Sequence, residues 1–82
     1  MNLKKGTRIT VKGTQYEVLY VMDEARTSIK PHIKSYTAVY LHRAEDQSEE
    51  PSLILELRED QAYMITLDKK RIRLKENELQ IL

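Results

Sequence analysis

Apolar residues recur at every second position in short runs along this chain, and a period of two is the signature of strands rather than helices. Arg8-Ile9-Thr10-Val11-Lys12 is the cleanest run: Ile9 and Val11 fall on one face, and Arg8, Thr10 and Lys12 on the other. The sparse punctuation agrees. Gly6 and Gly13 bracket this strand, and Pro31 and Pro51 fall in loops.

Two longer runs are less simple. In Gln15 to Met22, Tyr16, Val18, Tyr20 and Met22 oppose Glu17, Leu19 and Val21, so both faces are apolar past Val18. Either the strand crosses between two packed layers or a bulge flips its register midway, and the sequence leaves both open. Ser35 to Arg43 repeats the pattern, with Tyr36, Ala38, Tyr40 and His42 opposite Thr37, Val39, Leu41 and Arg43. Between them, Asp23 to Lys34 is polar and basic around Pro31. It exceeds the usual hairpin connection, which makes it a candidate functional loop.

The second half begins with Ala44 to Pro51, an acidic stretch with nothing that can be buried cheaply. Leu53, Leu55 and Leu57 then alternate with Ile54, Glu56 and Arg58, which reads as a strand despite good helix propensity. Ala62 to Leu67 and Arg71 to Lys75 form a hairpin around Asp68-Lys69-Lys70. Lys75 to Leu82 suits one short helical turn and a closing strand, with Leu79 and Ile81 capping the core.

The predicted fold is therefore all-β: a small SH3-like antiparallel barrel or strongly coiled meander of about six or seven short strands, with a short helical turn before the last. The whole length, 82 residues, is expected to form a single domain. Gly6-x6-Gly13-x2-Tyr16-x-Val18 resembles the first hairpin of small SH3-like barrels, and Ile72-x-Leu74-x4-Leu79-x-Ile81 resembles their closing elements. The resemblance rests on hairpin geometry, so it implies a fold and no activity.

Chemistry is hard to place on these residues. Without cysteine there is neither a disulfide nor a thiolate metal site, which suits a reducing compartment and predicts a cytoplasmic location. His32 and His42 lack metal-ligand spacing, so His32 is expected to be a solvated loop side chain and His42 a hydrogen-bonded rim residue. Ser28, Ser35, Ser48 and Ser52 sit in plain loops and strand starts with no nucleophile elbow. Glu45, Asp46, Glu49 and Glu50 share one solvated loop, without the burial that tunes a general acid or base. No glycine-rich phosphate loop exists, and no run approaches the ~18 uncharged residues of a membrane helix. The expectation is a non-enzymatic module that uses no cofactor, takes no small-molecule substrate and spans no membrane.

What remains is binding to a macromolecule. Charge is segmented: eight Lys/Arg against three Asp/Glu in residues 1–43, one against seven in 44–60, and five against three in 61–82. Nucleic acid is the first reading. Arg8 and Lys12 share one outward strand face, and Arg71, Arg73 and Lys75 share another, near Lys69 and Lys70. Side by side, the two strands would make one basic strip, with Tyr20 and Tyr40 as stacking platforms unless the tyrosines fill the barrel wall.

The second reading is a protein-interaction module or homo-oligomer using a spare apolar face of strands 15–22 and 35–43. That face holds either Leu19, Val21, Val39 and Leu41 or Val18, Tyr20, Ala38 and Tyr40. Reversing charge at Arg71 and Arg73 tests the first reading. Leu41→Glu or Tyr40→Glu, each expected to give a folded monomer, tests the second.

Overall fold

The computed structural model describes residues 3–25, 36–46 and 49–82. Its elements are β1 (Arg8–Val11), β2 (Thr14–Ala25), β3 (Tyr36–Arg43), β4 (Leu53–Leu57), β5 (Ala62–Ile65), β6 (Arg71–Leu74), a 3-10 turn (Glu76–Glu78) and β7 (Leu79–Ile81). All neighbours in the single sheet are antiparallel, in the order β6-β5-β4-β3-β2-β1-β7, and the sheet curls into a half-barrel. The strand reading of Leu53 to Leu57 holds against its helix propensity, because Leu53 and Leu55 are both buried in the core.

Local chemistry sets the hairpins. Val11 pairs with Thr14, and the two residues between them, Lys12 (φ 49°) and Gly13 (φ 82°), both take positive φ, as a twist-matched two-residue hairpin turn requires. A Cβ built on Gly13 meets nothing within 4 Å, so only the backbone opposes a side chain there. Gly13→Ala is expected to lower stability by about 1–2 kcal/mol, measured by urea unfolding, with an unchanged m-value.

The concave face carries the core. Ile9, Val11, Val18, Val39, Leu41, Leu53, Leu55 and Leu74 cluster there, and Leu3, Tyr16, Val21, Leu57, Ala62, Met64 and Leu79 pack around them. The register explains how β2 has two apolar faces: Val18 pairs with Leu41, but Tyr20 pairs with Tyr40, so a bulge at Leu19 resets the alternation. Val18 and Val21 both point inward, whereas Tyr20 and Met22 point outward. Neither expected grouping of the spare face survives. Val18 belongs to the core with Val39 and Leu41, and the outward set is Tyr20, Met22, Ala38 and Tyr40.

Other expectations shift at their edges. Asp23 to Ala25 continue β2 past a second irregularity instead of opening the loop, and 26–34, the rest of that candidate functional loop, lies outside the described residues. Leu79 packs on the core, but Ile81 is 43% exposed, so only one of the two expected capping residues caps.

Candidate functional site

The outer, convex face of the sheet differs from an ordinary solvated face. Cross-strand register aligns two rows on it. One runs Tyr20, Tyr40, Ile54, Ile65 and Arg71 from β2 to β6; the other runs Met22, Ala38, Glu56, Tyr63 and Arg73. Directly opposed side chains on one face touch, and here the Tyr20 and Tyr40 rings stack with centroids 4.3 Å apart and planes 18° from parallel. Tyr20 remains 48% exposed and Met22 47%. An aromatic pair and a methionine left this open form the centre of an apolar patch.

A buried carboxylate anchors the other half. Glu56 is only 2% exposed, although it points to the outer face. Arg71 closes over it as a two-pronged donor, Nη2 to Oε2 at 2.6 Å and Nε to Oε1 at 3.2 Å, and Arg58 Nε donates to Oε2 at 2.7 Å. The guanidinium of Arg71 lies 3.7 Å from the ring centroid of Tyr63, and that of Arg58 lies 5.0 Å from the ring centroid of Tyr36. Tyr63 in turn donates its hydroxyl to Gln61 Oε1 at 2.6 Å. Burial alone would push the Glu56 carboxyl up, but hydrogen bonds from Arg71 and then Arg58 outweigh it and hold the group below its usual range. Arg71 is correspondingly pushed up, chiefly by its hydrogen bond to Glu56.

This geometry rearranges the residues expected to bind. Arg71 and Arg73 do share an outward face while Leu74 is buried, and that face is the one carrying Tyr20 and Tyr40. The basic β6 and the spare face of β2 and β3 are thus one surface. By contrast, β1 and β6 are not neighbours: β5, β4, β3 and β2 intervene in the sheet order. Arg8 and Lys12 therefore do not continue the β6 row, and the single basic strip expected from the sequence is not formed in the sheet. Lys12 pairs with Glu78 at 3.6 Å, Lys70 with Asp68 at 3.7 Å, and Arg8 lies opposite Glu17.

Arg73 and Lys69 have no salt bridge among the described residues, and Lys75 follows β6 into the 3-10 turn. Because Arg71 clamps Glu56, reversing its charge would damage the fold as well as any binding, so Arg73 is the cleaner site for such a test.

Sequence reasoning missed Glu56, Arg58, Tyr63 and Met22. The signal was available for Glu56: its alternation with Leu55 and Leu57 set it on the outer face, two residues from Arg58 on that same face. His42, expected as a hydrogen-bonded rim residue, holds its Nδ1 buried with no hydrogen-bond partner among the described residues. Among the described residues no three or more His, Asp or Glu side chains gather as a metal site would require, and no helix is long and apolar enough to cross a membrane. Comparison with protein-family models, curated proteins and solved structures finds no match.

Proposed function

We propose that the chain is a non-catalytic interaction module that docks a protein partner on the outer face of its sheet. The observation that carries this reading is the composition and exposure of that face. Tyrosine, methionine and arginine, types enriched at protein interfaces, are concentrated there. Tyr20 and Met22 offer open apolar surface, and the clamp on Glu56 holds Arg58 and Arg71 rigid before any partner arrives, which lowers the ordering cost of association. The partner's chemistry follows from charge. Among the described residues Arg73 and Lys69 have no salt bridge, and they stand at the β6 end of this face, so the complement is an apolar cluster with carboxylates on one side. The curled sheet and the turn before β7 are in keeping with an SH3-like scaffold, a fold that by itself assigns no partner.

A second reading, single-stranded nucleic acid across the same face, is favoured by Arg73 and Lys69, which have no salt bridge among the described residues, at the β6 end of the face whose β2 end carries exposed Tyr20. It is weakened because Glu56 already engages two of the arginines and because β1 contributes no cations to the row.

Selection of binders from a displayed library of random peptides tests the proposal. Most selected peptides should lose about tenfold or more in affinity against Tyr20→Ala or Met22→Ala, both of which keep the fold. Binders indifferent to both substitutions would overturn it. Titration of labelled single-stranded and duplex nucleic acid at two salt concentrations should show no binding. Affinity that falls steeply with salt would instead install the second reading.

A further inference from the structure

Among the described residues, the β6 end of the sheet has no strand beyond it. β6 bonds to β5 alone, and the ladder phase can be followed from the turn: Thr66 N–H donates to the Lys70 carbonyl at 3.0 Å, and Arg71 pairs with Ile65 in the next, non-bonded position. Alternation then turns the backbone groups of Ile72 and Leu74 toward β5 and those of Arg71 and Arg73 toward the open edge. Neither residue's backbone engages any turn, loop or cap among the described residues. Two N–H and two C=O groups are therefore presented in strand geometry.

The two sides of this edge differ in chemistry. On the outer side stand Arg73 and the Glu56-clamped Arg71, with Lys69 and the Asp68–Lys70 pair in the turn before them. On the inner side Ile72 is half-buried, and the end of β6 runs into a groove of about 1090 Å³ whose apolar wall is Leu57, Ala62, Leu74 and Leu79; its charged lining balances Glu59, Asp60 and Glu76 against Arg58, Arg73 and Lys75, so the apolar wall is what this side offers. The same cations oppose β6-to-β6 pairing between two copies, since like charges would face each other. The edge is thus closed to its own kind and open to a strand of opposite charge.

From this we infer that β6 is an acceptor edge for an extended acidic segment of a protein partner, added as an eighth strand. Its side chains alternate, carboxylates on the outer side facing Arg73 and the Arg58–Glu56–Arg71 cluster, which keeps a net positive charge, and apolar groups beside Ile72 and Leu74 on the inner side. The inference rests on the protein-docking reading of the outer face, and it names the edge and the chemistry that the partner uses.

The probe is a fluorescein-labelled peptide of four Glu-Val repeats, followed by anisotropy at low and moderate salt. It should bind at low salt, more weakly as salt rises, and at least about tenfold more tightly than three controls. These are the Lys-Val counterpart, a peptide of the same composition with Glu and Val in blocks, and a version carrying a central proline. Arg73→Pro removes an edge N–H without breaking a ladder bond, so the variant should stay folded by circular dichroism and lose binding about tenfold. Arg73→Gln, which keeps the N–H, should lose about threefold.

Equal binding of the blocked or proline-containing peptide, or full binding by folded Arg73→Pro, would overturn the inference. If the peptide fails while displayed binders still depend on Tyr20, the edge assignment alone falls. If both fail, the docking reading falls with it.

Discussion

Leu41→Glu is expected to abolish cooperative folding, while Tyr40→Glu, one residue away, leaves a folded domain with a clear thermal transition. From sequence the two positions were interchangeable probes of an interface, but the structure separates them. Leu41 is 0% exposed and pairs with Val18 and Leu53 inside the core, whereas Tyr40 lies on the outer face against Tyr20 and Ile54. An unpaired carboxylate at Leu41 has no hydrogen-bond partner and no water, and it also removes a core side chain. The combined cost exceeds the roughly 4–12 kcal/mol available to a domain of this length. At Tyr40 the loss is the ring stack and part of the patch, about 1–2 kcal/mol, because the new carboxylate reaches solvent. Far-ultraviolet circular dichroism during heating separates the outcomes. A folded Leu41→Glu would mean that the bulge at Leu19 is misplaced and that the sheet is inside out.

The second large effect concerns Glu56. Arg58→Met combined with Arg71→Met keeps an aliphatic cover over the carboxylate but removes both partners, and it should cost about 3–5 kcal/mol at neutral pH. Adding Glu56→Gln to that background should restore most of the loss, since the penalty comes from an uncompensated buried charge and not from the absence of arginine. The pH dependence gives an independent sign. In the native protein Glu56 titrates below its ordinary value of 4.5, so its contribution is full above that value and is lost as pH falls through the lower, folded pKa. With both arginines gone, burial raises the folded pKa above the unfolded one. The double variant should then become more stable on acidification across that range, opposite to the native protein. Chemical unfolding at pH 7 and pH 4 measures both; a double variant with native stability at pH 7 would show that Glu56 is hydrated.

Why the strands were legible and the surface was not follows from where each signal resides. Runs such as Ile9 and Val11, or Leu53 and Leu55, carry their burial in alternation alone, and Gly13 beside Lys12 marks its own hairpin turn. A bulge has no such local mark. The reset at Leu19 is visible only when Val18 and Tyr20 are set against β3, where one extra residue lets Val18 and Val21 both face inward. Strand order is also non-local: Arg8 and Arg71 look alike in sequence, yet one belongs to a strand between β2 and β7 and the other to the opposite edge of the sheet. Sequence supplied the residue types of the outer face, Tyr20, Tyr40, Arg71 and Arg73. It did not supply Glu56 as their neighbour, and that carboxylate converts Arg71, an apparent phosphate ligand, into half of a fixed structural clamp shared with Arg58.

The most direct test of the docking face is to map a selected peptide ligand onto the isotopically labelled domain by amide chemical shifts. Perturbations are expected to concentrate on Tyr20 to Met22, Ala38 to Tyr40, Ile54, Tyr63 to Ile65 and Arg71 to Arg73. Perturbations confined to the β1–β2 hairpin or to the acidic segment between β3 and β4, with the outer face unmoved, would contradict docking there.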